Sequence, residues 1–256
     1  MTRFSLRLGH LLALCLGLSG LSRAGLPETI EWIKPSILAI GTYERTRSPP
    51  FRLMGTGFVV GDGNLAITNA HVVRTPVNIE TGEKLIVLAR TSAGTLDTRE
   101  AVKLAFDEEH DLTLLRISGG KLPTMTLGAD DSVREGEAVA FTGFPIVGVL
   151  GPYPATHRGI VAAIAPVAIP GANAKQLSAK LIRRLSKGSF DILQLDATAY
   201  PGDSGSPLYA PETGEIVGII NMVLVKSTKE SAITNPSGIT YAIPVRYLRQ
   251  LLEEHR

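Results

Sequence analysis

The run Pro201-Gly202-Asp203-Ser204-Gly205-Ser206-Pro207-Leu208 carries the strongest chemical signal in the chain. A serine hydroxyl is a weak nucleophile at neutral pH and needs a base to take its proton during attack. It also needs donors for the oxyanion that forms when a carbonyl becomes tetrahedral. Glycine at 202 lets the backbone turn so that the N–H groups of Gly202 and Ser204 converge on one point. A glycine-rich hairpin with an incidental serine has the same composition, so the string acquires meaning only with partners. It is not the Gly-x-Ser-x-Gly elbow of α/β-hydrolases, because Ser206 holds the last position and the flanks read strand–loop–strand.

Two further positions complete a candidate set. His71 follows the apolar run Leu65-Ala66-Ile67-Thr68-Asn69-Ala70 and precedes Val72-Val73, which places an imidazole at a strand end where packing can fix its rotamer. Asp111 heads Leu112-Thr113-Leu114-Leu115-Arg116-Ile117, a strand whose burial can carry a carboxylate inward. A buried carboxylate is costly unless hydrogen-bonded, and an imidazole N–H is a suitable donor. Taken alone, a histidine at 71 is more often a satisfied structural residue, and an aspartate at 111 more often a strand-capping turn residue. Asp107 competes with Asp111 but does not abut the apolar run; His110, His157 (read as lying in a loop) and His255 are weaker bases than His71. No His/Cys/Asp spacing resembles a zinc site, so neither metal nor cofactor is expected.

The elements that must position these residues read as strands. Apolar runs at Ile37-Ile40, Gly57-Val60, Leu65-Thr68, Leu85-Ala89, Val102-Phe106 and Leu112-Ile117 are separated by turn signals such as Asp62-Gly63-Asn64. After a crossing segment at 118–132 come Ala138-Phe141, Gly159-Ile164, Ile192-Leu195, Pro207-Tyr209, Ile216-Ile220 and Thr240-Ile243. Two comparable sets predict an all-β fold of two antiparallel barrels or sandwiches, about 36–118 and 133–243. A short helical stretch spans Glu28 to Lys34 and is stopped by Pro35; a C-terminal α-helix over 245–255 carries the apolar stripe Val245, Leu248, Leu251. Residues 166–190 break the pattern: Ala174 to Lys187 sets Leu177, Leu181 and Leu185 at helical spacing among five basic residues (Lys175, Lys180, Arg183, Arg184, Lys187) with no acid. Such a segment either packs its leucines on its own domain or meets an anionic membrane surface or a partner, and the first reading is preferred.

The 256 residues allow one large domain with a sizeable core, and 44% hydrophobic against 20% charged residues excludes a disordered chain. Residues 1–24 have the form of a secretory signal: Arg3 and Arg7, then Leu11 to Leu18, then Ser22-Arg23-Ala24. Their removal takes the single cysteine, Cys15, and three arginines, leaving 23 basic against 24 acidic residues. That balance gives no argument for nucleic-acid binding. Export without disulfides fits a bacterial periplasm. An uncleaved anchor is the alternative. Nothing in the residues sets an oligomeric state.

The order His71…Asp111…Ser204, with Thr68-Asn69-Ala70-His71-Val72-Val73, His110-Asp111-Leu112-Thr113-Leu114-Leu115 and Pro201-Gly202-Asp203-Ser204-Gly205, resembles the trypsin-like serine peptidases and is most similar to their HtrA/Deg branch. Gly55-Thr56-Gly57-Phe58-Val59-Val60, Phe141-Thr142-Gly143-Phe144-Pro145, Gly159-Ile160-Val161, Leu193-Gln194-Leu195-Asp196-Ala197 and Tyr241-Ala242-Ile243-Pro244 extend the resemblance over roughly 35–248. It implies two six-stranded antiparallel β-barrels with the site in the cleft between them. It implies protein or peptide substrates and peptide-bond hydrolysis through an acyl-enzyme on Ser204. His71 would be the base, Asp111 its orienting partner, and the N–H groups of Gly202 and Ser204 the oxyanion hole.

The resemblance also has limits. HtrA proteins usually carry a PDZ domain after the protease, and this chain ends at Arg256. Digestive-type members pair the acid at the position of Asp203 with a new Ile-Val-x-Gly terminus; Gly25-Leu26-Pro27 does not match, and HtrA proteins commonly have asparagine there. The partner of Asp203 is thus open, and control through the order of the 166–190 insertion is an expectation. Thr198 lies where trypsins place an acid, which argues against cleavage after Arg or Lys. Asn221, Met222 and Val223 would form the pocket wall by resemblance, and Val223 would narrow it, so small or medium aliphatic residues are expected on the acyl side. A silent protease-fold scaffold and an esterase on the same fold are the competing readings.

Overall fold

The computed structural model describes residues 25–91, 94–146, 151–166, 190–222 and 239–255. The signal-like segment 1–24, the basic stretch 174–187 and Val223 lie outside the described residues.

The first six strands are β1 (Ile37–Tyr43), β2 (Phe51–Val60), β3 (Leu65–Asn69), β4 (Lys84–Arg90), β5 (Leu96–Asp107) and β6 (Leu112–Ile117). They close into an antiparallel barrel in the order β1-β2-β3-β6-β5-β4. The next six are β7 (Ala138–Gly143), β8 (Ala155–Pro166), β9 (Asp191–Asp196), β10 (Pro207–Tyr209), β11 (Ile216–Asn221) and β12 (Ile239–Pro244). They close as β10-β11-β12-β9-β8-β7. The expected double barrel is therefore present. So is the C-terminal helix, here α2 (Val245–Glu254), which buries Val245, Leu248 and Leu251. The first helix, α1 (Leu26–Ile33), begins two residues earlier than the sequence pattern indicates, and Pro35 falls within a 3-10 turn at Lys34–Ser36.

Alternation along the strands explains why several read as continuous apolar runs. Leu38 and Ile40 of β1 point into the first barrel with Val59, Val87, Leu115 and Ile117. Ile37 and Ala39, on the opposite face, join Phe58, Ile67 and Leu114 in a second cluster shared with Ala140, Phe144, Ile219 and Ile243 of the other barrel and with Leu248 and Leu251 of α2. Both faces of β1 are thus buried, one in the lumen and one between the barrels, and a strand buried on both faces cannot alternate polar with apolar. The lumen of the second barrel is filled by Val139, Phe141, Val161, Leu193, Leu195, Leu208, Ile220 and Ala242. The crossing segment is pinned at both ends: Met125 N–H donates to Val59 O at 3.0 Å, and Ile216 N–H donates to Thr126 O at 2.9 Å.

Candidate active site

β3 and β6 pair antiparallel with Asn69 opposite Leu112. The residues just beyond β3 and just before β6 must therefore lie together, and these are Ala70-His71 and Asp111. The chain leaves β3 in a 3-10 turn, Ala70–Val73, that buries Ala70, Val72 and Val73 and turns His71 outward. His71 stands two residues past the end of β3, in that turn rather than at the strand end itself. Asp111 takes a left-handed conformation, φ 56°, immediately before β6. Aspartate is among the few residues that adopt it at small cost.

The two are tied by more than one bond. His71 Nδ1 lies 2.5 Å from Asp111 Oδ2, and His71 N–H donates to Asp111 Oδ1 at 2.9 Å. The Asp111 carbonyl accepts from Ala70 N–H at 2.8 Å and from Asn69 Nδ2 at 3.2 Å. From the second barrel, Asn221 Nδ2 donates to Asp111 Oδ2 at 2.8 Å. Holding Nδ1 on the carboxylate fixes the ring and leaves Nε2 as its free face. The rival acid is engaged elsewhere: Asp107 Oδ2 lies 2.7 Å from His110 Nδ1, and His110 stacks on Tyr247 of α2 with centroids 4.0 Å apart.

Ser204 lies in the loop before β10, buried to 7% exposure. The loop is pressed against the first barrel. Thr56 N–H donates to Ser204 O at 2.9 Å, and a Cβ on Gly205 would fall 2.1 Å from Thr56 O and 3.2 Å from Asn69 N. Gly205 N–H donates to Ile220 O at 3.0 Å, anchoring the other side to β11. Gly202 has φ +108°, and a Cβ there would meet Phe144 O at 2.1 Å, so both conformation and space require glycine. Thr56 Oγ1 donates to Gly202 O at 2.7 Å while accepting from Phe144 N–H at 2.9 Å. The N–H groups of Asp203 and Ser206 are spent within the loop, on Tyr200 O and Asp203 O, both at 2.9 Å. Among the described residues no acceptor takes the N–H of Gly202 or of Ser204. Ser204 Oγ likewise makes no hydrogen bond among the described residues, His71 included. Nucleophile–base contacts in ligand-free sites often tighten only when substrate arrives.

Of the other expected positions, Thr198 and Met222 are half-buried at the same end of the second barrel. Asn221 is 1% exposed and turns its amide onto Asp111. One reading is corrected: His157 is not in a loop but in β8, opposite Phe141 of β7. The pattern of turn residues at Gly151, Pro152 and Pro154 made the strand seem to start at Gly159. The hydrogen bonds of Thr56 to Gly202 and of Asn221, expected only as pocket wall, to Asp111 are long-range and leave no local pattern in the sequence.

Two closed six-stranded barrels, with a half-buried His–Asp pair on the first tied to the second by Asn221, define a trypsin-like serine-peptidase fold. The chain belongs to the trypsin-like peptidase domain family, which matches residues 55–219. Within it the chain is closely related to the HtrA/Deg proteases. It is 29% identical over 234 residues to serine protease HTRA1 of Xenopus tropicalis, covering 89% of this chain and 42% of that protein. It is 28% identical over 232 residues to a probable periplasmic serine endoprotease DegP-like of Ectopseudomonas mendocina, covering 90% and 41%. The solved HtrA-type protease AlgW with tripeptide superposes with TM-score 0.62 at 25% identity, covering 90% of this chain and 63% of that one. The chain spans less than half the length of these curated relatives.

Proposed function

We propose that the chain is a serine endopeptidase that cleaves peptide bonds through an acyl-enzyme on Ser204. The observation that carries this reading is the pair of unspent N–H groups on Gly202 and Ser204, in a loop whose other N–H groups are bonded and which packs on Asn69, two residues before His71. Ser204 Oγ attacks the substrate carbonyl and passes its proton to His71 Nε2. The oxyanion is received by the two N–H groups. His71 then hands the proton to the departing amine, which leaves as the acyl-enzyme forms. Water repeats the sequence to release the acid. Asp111 does not take the proton; it holds the ring and stabilises the imidazolium.

The half-buried Thr198, with no acid at that position, supports aliphatic rather than basic residues on the acyl side, with Met222 and Val223 as pocket wall. A tripeptide in the AlgW structure supports a peptide substrate. The basic start, the apolar run Leu11 to Leu18 and the periplasmic DegP-like relative support action in the bacterial envelope, on damaged or specific exported proteins.

Fluorophosphonate labelling, followed by digestion of a peptide library, tests the reading. Wild type is expected to label and to cleave after small or medium aliphatic residues, and Ser204→Ala to do neither. Labelling without peptide cleavage would indicate an esterase. Absence of labelling in folded wild type would indicate a silent scaffold.

A further inference from the structure

Asp203, beside the nucleophile, is completely buried. Its Oδ2 accepts Tyr200 N–H at 2.8 Å, and its Oδ1 has no hydrogen-bond partner among the described residues. Facing it from β8 is His157. Its Nε2 is 3.8 Å from Asp203 Oδ2 and is itself buried with no hydrogen bond among the described residues. The ring is stacked on Phe141, with centroids 4.9 Å apart and planes at 19°. A buried ring nitrogen without a hydrogen bond therefore lies 3.8 Å from a buried carboxylate whose other oxygen also has none among the described residues. A buried polar group without a partner is costly, and native structures rarely leave two side by side.

We propose that His157 is the built-in partner of Asp203, and that the pair holds the 200–206 loop with the N–H groups of Gly202 and Ser204 turned to the substrate. His157 is then a positioning residue for acyl transfer, acting through Asp203. The inference rests on the serine-peptidase reading for its kinetic consequence, but the pairing itself does not.

Among the described residues the surroundings leave no other counter-charge. β2 contributes Thr56, whose hydroxyl is already used on Gly202 O and Phe144 N–H. β7 contributes Phe141 and Gly143; a Cβ on Gly143 would stand 2.7 Å from Asp203 Oδ1 and 2.1 Å from Ser206 Oγ, so the carboxylate is packed against bare backbone. The loop itself contributes the Tyr200 ring, 5.8 Å from His157, and Ser206, whose hydroxyl is buried without a partner. Arg158, next on β8, is exposed and by strand alternation points to the opposite face. Among the described residues His157 is the only cationic group within ion-pair distance of Asp203.

Burial raises the Asp203 carboxyl to about 7 and lowers the His157 imidazole below its ordinary value. Both shifts disfavour an isolated charge, so the pair is at ease with one proton between its members. That proton belongs to the pair rather than to either residue. Removing it leaves a buried carboxylate without a cation. Adding a second leaves a buried imidazolium without an anion. Turnover is thus expected to fall on both sides of neutrality, with limbs that belong to this pair.

The test is a double-mutant cycle of His157→Gln and Asp203→Asn, following kcat, KM and melting temperature from pH 5 to 9. Each single variant is expected to lose at least about tenfold in kcat with KM little changed, a fraction of the 10²–10³ that a lost oxyanion donor costs. The double variant, in which two neutral amides face each other, is expected to recover most of that loss and to show a flatter pH profile. Additive effects, in kcat and in melting temperature alike, would overturn the pairing. Should the single variants fail to fold, a folded double variant supports it and an unfolded one overturns it. If wild type neither labels nor turns over, the peptidase reading fails, and the melting-temperature cycle still decides the pair.

Discussion

Asn221, at the end of β11, donates its side-chain amide to the Asp111 carboxylate across 110 positions of sequence, at 2.8 Å. The bond joins the two barrels at the acid itself. The carboxylate that bonds His71 is thus held from both barrels.

Asn221→Ala is expected to lower kcat about 10- to 100-fold with KM little changed, since a hydrogen bond to a charged group contributes roughly 1.5–3 kcal/mol. Asn221→Asp is expected to be worse, because a second carboxylate beside Asp111 repels the first. Steady-state kinetics on a cleaved library peptide measure both.

Gly202→Ala is expected to abolish fluorophosphonate labelling while leaving the circular-dichroism spectrum of the double barrel. The residue sits at φ +108°, and the added carbon would overlap the Phe144 carbonyl at 2.1 Å. The loop must shift, and displacing one oxyanion donor costs on the order of 10²–10³ in rate.

Thr56→Val keeps the shape of the side chain and removes its hydroxyl. Gly202 O and Phe144 N–H lose their shared partner. Denaturant unfolding is expected to show a loss of about 2 kcal/mol, within the range for orphaned buried groups. Thr56→Ser is expected to retain both stability and labelling.

Glu83 gives a pH signature far from the site. The Thr42 hydroxyl, the Asn78 N–H and the Arg47 guanidinium hold its carboxyl down at about 2. Because the folded value is depressed, the stabilisation is present above the ordinary carboxylate range and is lost as pH falls through the folded value. Glu83→Gln is therefore expected to destabilise at neutral pH, and the difference from wild type to shrink as pH falls from about 4.5 to about 2. Urea melts at stepped pH check the direction; a constant difference would refute it.

The strands were legible because burial writes them locally: β6 and β10 were read with the bounds observed, Leu112–Ile117 and Pro207–Tyr209. The long strands β5 and β8 were read short. Their outer halves carry Asp97, Arg99, Glu100 and Thr156, His157, Arg158 on exposed or half-exposed faces, where no apolar run marks them. His71 and Asp111 were legible for the same reason as the strands, since each abuts a buried run whose pairing brings them together. The contacts Thr56–Gly202, Asn221–Asp111 and His157–Asp203 were not. They join residues 146, 110 and 46 positions apart; the first two exist only after both barrels have closed, and the third only after β8 and the 200–206 loop meet in the second.

That dependence bears on how the chain comes into being. His71 and Asp111 ride on the first barrel, and Gly202, Ser204 and Asn221 on the second, so no half-made protein holds a working set. Contacts this distant in sequence form late in folding. Under the proposed function, hydrolytic power is the last property the molecule acquires and the first it loses when the barrels part. A newly synthesised chain thereby cannot cut itself during the interval when its loops are most open to attack.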